Sequence, residues 1–411
     1  MNHTPLFPPL SHVAKDFLRD LNEKILAIRP LSHAHRQSLA RDIADLSSIL
    51  TVERRFLRKP YWSSPAFQSA YYLYFLPWNI LRQVRLLLGL ALPKPQENSV
   101  LFDLGSGPAT FPLALWIARP DLRRIPLTIF LQDTANAPLA FGKKLLLAYL
   151  SLDKTPWTIH TLAQPLSRCV SIFREKKPFL VSAANVINEL RFGEEEDLER
   201  LSDLLDSMIG EASHLLFLEP GTRQGGNIIA RLRRILIAQG YNVLAPCTHD
   251  GPCPLLSAKP GPRWCHFTFD TEGAPRWLVQ LSEEAGLGKE TLSLAPLLVQ
   301  RSGRGHVGGC RVFSQPFRVP GIPGLARYGC QGEGLVLLED AAAYPSGTLL
   351  SDCVLGSARD AKSGALRAAP VGRTFGRTLD TRGKGIVGAK KKDAMRKHSA
   401  HGARNKKKER A

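Results

Sequence analysis

Along the first 95 residues, apolar side chains recur at three- and four-residue spacing. HVAKDFLRDLNEKILAI and HRQSLARDIADLSSIL carry this pattern, which predicts amphipathic helices. From Ser99 the texture changes to short apolar runs alternating with longer amphipathic stretches. SVLFDLG, PLTIFLQD, WTIHTLA, PFLVSAAN and HLLFLEP predict five strands. FPLALWIARP, LAFGKKLLLAYL, EEEDLERLSDLLDSMIG and IIARLRRILIAQG predict helices, with a shorter helical turn near Leu166–Arg174. Such alternation implies crossover connections and a mainly parallel sheet covered on both faces. Beyond Gly240, residues Ala245 to Phe269 are rich in Pro, Gly, Cys and His and show no helical period. A short helix over Ala274–Gly286 and late strands in LSLAPLLVQ, GCRVFSQPF and EGLVLLED complete the pattern. The most apolar run, Ala66 to Leu92, is interrupted by Pro77, Arg82 and Arg85. Charges are costly at bilayer depth, so the run predicts a helix pair packed on the domain and no membrane partner.

Composition changes this picture mainly at the C-terminal end. The 411 residues carry a formal net charge of +19. Between Arg359 and Ala411 stand 17 Lys or Arg against 4 Asp or Glu, so most of the excess lies there. Apolar periodicity fades from about Ser357, and the segment predicts a disordered basic tail suited to a phosphate backbone. The expected layout is a helical region over 1–97, an α/β core over 98–244, a cysteine-rich metal-binding insertion with the last core strands over 245–340, and the tail over 357–411. Seven cysteines in a chain this long do not suggest a disulfide scaffold. The N-terminal sequence has no basic region followed by an apolar core, and its acidic residues argue against a presequence, so a reducing cytosol is the expected location.

Asp103-Leu-Gly105-Ser106-Gly107-Pro-Ala109 lies directly between the first predicted strand and a helix. Glycines there allow a tight turn, and the helix start offers free amides. A dinucleotide loop would read G-x-G-x-x-G. This one reads D-x-G-x-G-x-A and resembles the first motif of class I S-adenosylmethionine methyltransferases, with Ala109 in place of the third glycine. The resemblance implies a Rossmann-like core in which the loop cradles the methionine part of the cofactor and the acidic residue contacts its amino group. Asp133, ending the second strand, resembles the residue that holds the ribose hydroxyls; a plain strand-end cap is the competing reading. Position His160–Gln164 lacks an acidic residue for the adenine side. After the fourth strand, Asn185, Asn188 and Glu189 are the catalytic candidates, since side-chain amides can orient a base edge. Methyl transfer needs mostly alignment, so the loop alone does not identify the chemistry.

The most specific local signal is APCTHDGPCPL followed by RWCHF, placing Cys247, Cys253 and Cys265 at C-x5-C-x11-C spacing. Closely spaced thiols in a Pro/Gly-rich stretch of a reduced protein are usually metal ligands. A fourth ligand must come from elsewhere: Cys330 and Cys310 are the cysteine candidates, while His249 or His266 would suit zinc. Zinc and a cubane iron–sulfur cluster both remain open on spacing.

FLEPGTRQGG, APCTHDGPCPL, WCHF, FDLGSGPAT, NVINEL and RYGCQGEGLVLL together resemble the family of mitochondrial ribosomal small-subunit protein twenty-two, including its bacterial members. Its animal relatives are called methyltransferase-like proteins of the mitochondrial small ribosomal subunit. The resemblance runs from about Ala66 to Glu339. It implies a methyltransferase core binding S-adenosylmethionine, and a 4Fe-4S cluster on Cys247, Cys253, Cys265 and Cys330, with Cys310 demoted. It also implies association with the small ribosomal subunit and its rRNA, by methylation or as an assembly factor without catalysis.

Overall fold

The computed structural model describes residues 5–51, 61–188, 195–210, 213–256, 263–301, 303, 308–322, 324–339, 344–351 and 353–370. The chain divides into two compact units, Met1–Phe375 and Gly376–Ala411, the second outside the described residues.

Helices α1 (His12–Arg19), α2 (Leu21–Ile28) and α3 (His33–Thr51) open the chain, and the Ser11 hydroxyl caps α1 by accepting from Ala14 N at 3.1 Å. The apolar run expected to form a helix pair is instead one helical stretch. It comprises α4 (Pro65–Ala70), a π turn (Tyr71–Phe75) and α5 (Leu76–Gly89). The reason lies at Pro77, which cannot donate and crowds the carbonyl four residues back. The π turn, in which Leu76 N–H reaches Tyr71 O, absorbs this misfit without breaking the helix. Arg85 on this helix is buried and bonds Asp270 at 3.0 Å, while Arg82 donates to Asn79 at 2.7 Å. Among the described residues, no helix is long and apolar enough to cross a membrane.

The core follows as β1 (Ser99–Leu104), α6 (Thr110–Ala118), β2 (Leu127–Asp133), α7 (Asn136–Leu150), β3 (Trp157–Ala163), α8 (Val170–Lys176), β4 (Leu180–Ala184), α9 (Glu195–Asp206), β5 (His214–Pro220) and α10 (Arg223–Ala238). Then come β6 (Asn242–Ala245), β7 (Phe267–Asp270), α11 (Arg276–Glu284) and β8 (Thr291–Gln300). The sheet order is β3-β2-β1-β4-β5-β8-β6, with β7 also on β8. The five predicted strands pair in parallel, and their central members are buried on both faces. β8 enters antiparallel to β5. Its other edge is shared by β6, opposite Leu298–Gln300, and β7, opposite Thr291–Leu294. The cysteine-rich stretch is therefore an excursion between two pieces of one sheet edge.

Of the expected late strands, LSLAPLLVQ is β8 and completes the core, whereas those after it do not extend it. β9 (Cys310–Phe317), β10 (Ala326–Gln331), β11 (Gly334–Leu338), β12 (Leu349–Leu350), β13 (Cys353–Arg359) and β14 (Leu366–Pro370) form a second sheet in the order β12-β9-β10-β11-β14-β13. This corrects the expected 245–340 boundary and the start of the tail. Residues 357–370 are paired strand and turn, because Leu366 and Ala368 supply apolar positions and Arg367 pairs with Glu339. The rest of the expected tail, 371–411, lies outside the described residues.

Candidate cofactor site and thiol cluster

At the carboxyl end of β1 the chain turns sharply, with Gly105 at φ +57°, Gly107 at +51° and Ala109 at 57°. Gly105 has to be glycine for a second reason: a Cβ there would lie 2.1 Å from Val186 Cγ2. Gly142 of α7 performs a similar service from behind, where a Cβ would lie 2.3 Å from the Pro108 carbonyl carbon. The loop is also held from β2. Ser106 N donates to Gln132 O at 2.8 Å, and Gly107 N to Asp133 Oδ2 at 3.0 Å. The other Asp133 oxygen accepts from Ala135 N at 2.9 Å. Burial raises the Asp133 pKa, opposed by these amide bonds.

Asp103 sits differently from the sequence expectation. It is 1% exposed and lies beneath the loop, accepting hydroxyls of Ser106 at 2.5 Å and Ser182 at 2.7 Å. Burial pushes its pKa up to about 7, against the two serine donors and with the nearby Asp133 charge adding to the rise. Its visible task is to brace the turn.

Above the loop lies a cavity of about 600 Å³, within the usual range for small-molecule sites. Gly105, Ser106, Gly107, Asp133 and Asn185 line it. Asn185 adopts φ 60° at the end of β4. The next turn is fixed by Glu219, 1% exposed at the end of β5, which accepts from Ile187 N at 2.9 Å and Asn188 N at 3.3 Å. Asn188 is not among the cavity-lining residues, and Glu189 falls outside the described residues. Sequence reasoning missed the aromatic part of the wall, made by Tyr61, Trp62 and Tyr71 from the N-terminal region. Their rings pack together, Trp62 to Tyr71 at 4.6 Å and Tyr61 to Trp62 at 4.7 Å. The clustering of aromatics in YWSSPAFQSAYYLYF was the available signal.

A second constellation forms where the excursion meets the second sheet. Cys247, Cys253 and Cys265 come from the excursion and Cys330 from β10. Burial raises the Cys265 thiol well above its ordinary pKa, and the proximity of Cys247, Cys253 and Cys330 raises it further. Burial likewise raises Cys330, again with Cys247 and Cys253 adding. The four thiols thus share one electrostatic neighbourhood. His249 Nε2 lies 3.6 Å from Cys330 Sγ, whereas the His266 ring stacks on Trp264. Among the described residues, no three Cys, His, Asp or Glu side chains are grouped closely enough to hold a single metal ion. Cys310 is fully buried in the second sheet, where its partner is Cys353.

Arg233 on α10 was also missed. It is 3% exposed and donates through Nη2 to His249 O at 2.6 Å and Gly251 O at 3.0 Å. Arg311 holds the start of the same loop, donating to Pro246 O at 3.0 Å.

The strand order, with an antiparallel strand inserted beside β5, and the glycine turn at the end of β1 define a class I methyltransferase fold. The chain belongs to the family described as "Mitochondrial small ribosomal subunit Rsm22", whose sequence profile matches residues 70–279. It is 25% identical over 202 residues to the Rsm22-cox11 tandem proteins 1 and 2, mitochondrial, of Schizosaccharomyces pombe. That match takes in 46% of this chain but spans only 25% of those relatives' length. Among solved structures, it is similar to magnesium protoporphyrin IX methyltransferase from Synechocystis PCC 6803 with bound SAH (13% identity, TM-score 0.36, covering 59% of this chain and 96% of that one). It is also similar to the citrinin polyketide synthase CMeT domain (14% identity, TM-score 0.35, covering 69% of each chain).

Proposed function

We propose that this chain is an S-adenosylmethionine-binding protein of the small ribosomal subunit that contacts or methylates its rRNA and carries a 4Fe-4S cluster. The reading takes it as a bacterial-branch member of the family, acting in the cytoplasm in association with ribosomes. The observation that carries the cofactor assignment is the cavity above the Gly105–Gly107 turn, walled by Asp133 on one side and aromatic rings on another.

When bound, the cofactor supplies an activated methyl group. The Gly105–Gly107 turn, whose amides now bond Gln132 and Asp133, would receive its methionine part, while Asp103 and Ala109 set the shape of the turn. Asp133 would hold the ribose hydroxyls, sharing the bonds it now makes to Gly107 and Ala135. Asn185 presents an amide at the cavity wall that could orient a base edge. Asn188 and Glu189 remain candidates beyond it.

For the metal, Cys247, Cys253, Cys265 and Cys330 are the proposed ligands. What supports a shared centre is the mutual influence of Cys265 with Cys247, Cys253 and Cys330, and the family resemblance favours a cluster over zinc. Anaerobic purification should give a brown protein with iron and sulfide. A colourless protein with stoichiometric zinc overturns the cluster assignment in favour of the zinc alternative.

A second reading, compatible with the same cavity wall, is a cofactor- and cluster-binding assembly factor without catalysis. Among the described lining residues, Asp133 is the only carboxylate, and no Lys, His or Cys joins it. Labelled cofactor incubated with precursor small subunits separates the readings. Transfer to rRNA supports the enzyme, whereas binding without transfer supports the assembly factor. The 371–411 segment would add salt-sensitive affinity for RNA, and its removal must leave β14 intact.

A further inference from the structure

We propose that Arg233 is the resident counter-cation and clamp of the thiol cluster, a positioning residue that fixes the 247–253 loop and offsets the negative charge of four metal-bound thiolates. The inference rests on the metal-centre reading and extends it to a residue that is not a ligand.

Arg233 arises in IIARLRRILIA, an apolar stretch of α10 flanked by Leu232, Ile235 and Leu236, all buried. A guanidinium in such surroundings is costly unless hydrogen-bonded and paired with negative charge. Half of this requirement is met by the two carbonyls of His249 and Gly251, both reached by Nη2. The other half is not met by a carboxylate, because no ion pair involves Arg233 among the described residues. Its Nε is buried and lacks a hydrogen-bond partner. What it holds instead is the loop between Cys247 and Cys253, since His249 and Gly251, whose carbonyls it binds, stand between those two proposed ligands.

Thiols are poor partners for a buried cation while protonated, but thiolates on a metal centre are good ones. A charged donor next to metal-bound sulfur also tunes the centre, as outer-shell groups generally do. The planar fork explains Arg over Lys, since one head has to span two carbonyls. α10 is itself seated against the excursion, because a Cβ on Gly226 would lie 2.4 Å from Cys265 O. Helix and excursion also meet through Arg223, whose guanidinium lies over the Trp264 ring at 5.7 Å, but Arg233 is the charged side chain that reaches the 247–253 loop.

The test compares the full chain with Arg233→Met and Arg233→Lys. Each is reconstituted anaerobically with limiting iron and sulfide, then assayed for iron per chain, visible absorption and midpoint potential. Protease cleavage between Cys247 and Leu256 is timed separately in the metal-free chains. Arg233→Met should hold at least tenfold less iron and be cut at least tenfold faster. Arg233→Lys should recover iron to within a few-fold, with a shifted potential and intermediate cleavage. Parent-like loading and cleavage in Arg233→Met overturn the proposal. Should that variant not fold, parent-like cleavage and potential in Arg233→Lys overturn it instead. A parent chain that takes up no iron sinks the cluster reading, while the cleavage comparison still decides whether Arg233 clamps the loop.

Discussion

Replacing Gly142 with alanine tests whether the cofactor turn is held in shape from behind. In the interior of a helix this substitution ordinarily stabilises by about 1 kcal/mol, because glycine is the poorer helix former. Here the new methyl would lie 2.3 Å from Pro108 C, 2.6 Å from Ala109 N and 2.7 Å from Pro108 Cα. All three are backbone atoms of the cofactor turn, so no side chain can swing aside. Restoring ordinary contact needs about 1.1 Å of separation between α7 and the turn. Overpacking of this kind costs roughly 1–3 kcal/mol, which cancels or exceeds the propensity gain. The displaced turn carries the Gly107 N to Asp133 bond and forms the cavity floor. We expect Gly142→Ala to weaken S-adenosylmethionine binding at least tenfold, about 1.4 kcal/mol, by equilibrium dialysis, with a melting temperature unchanged or lowered. A variant that melts higher and binds as the parent does would show that the turn does not depend on this contact.

Three further perturbations probe the same region. Asp103 has a folded pKa of about 7 against an ordinary 3.8, so the folded chain keeps the proton between those values. The resulting stabilisation is complete below about pH 4 and is lost as pH rises through about 7, worth ~4 kcal/mol in full; urea melts should show the parent losing stability relative to Asp103→Asn across that window, and parallel curves would refute it. Ala109→Val places a β-branched side chain at φ 57° in a fully packed spot and should cost ~2 kcal/mol, whereas Ala109→Gly should stay within ~1 kcal/mol of the parent by the same melts. Trp62→Ala removes a ring of the cavity wall and should weaken cofactor binding about tenfold in a titration with S-adenosylmethionine; an unchanged Kd would place that ring outside the bound cofactor's contacts.

The core was legible because its signals are local. Each central strand is a continuous apolar run, and the glycine turn sits directly where strand gives way to helix. The second sheet was legible only in part: β9 and β11 were expected as strands, but not their separate sheet, because its pairings join distant segments of modest hydrophobicity. β14 pairs with β11 through Val336–Leu366 and Leu338–Ala368, and its Arg367 reads as tail charge until Glu339 is seen beside it. Spacing singled out Cys247, Cys253 and Cys265, whereas preferring Cys330 to Cys310 needed the family resemblance, since only folding carries β10 to the excursion. Arg233 was hidden among Arg231 and Arg234, which periodicity cannot rank by burial. The aromatic wall lies some forty residues before the glycine turn and meets it only through the packing of the N-terminal helices.

That wall has a consequence for when the site comes into being. Its supporting helices are tied to the far end of the core: Tyr74 to Leu287 O at 3.2 Å, Trp78 to Ser282 at 3.2 Å, and Trp277 to Arg19 O at 3.0 Å. During synthesis at about 5–20 residues per second, the glycine turn and its neighbouring strands emerge many seconds before residues 277–287 can pin the aromatic rings over them. A nascent chain thus has a cradle without its cover. A chain arrested between these two stages lacks both the residues that pin the aromatic wall and β8, the strand paired along the whole of β5, so cover and sheet edge are completed together by the last part of the core to be made.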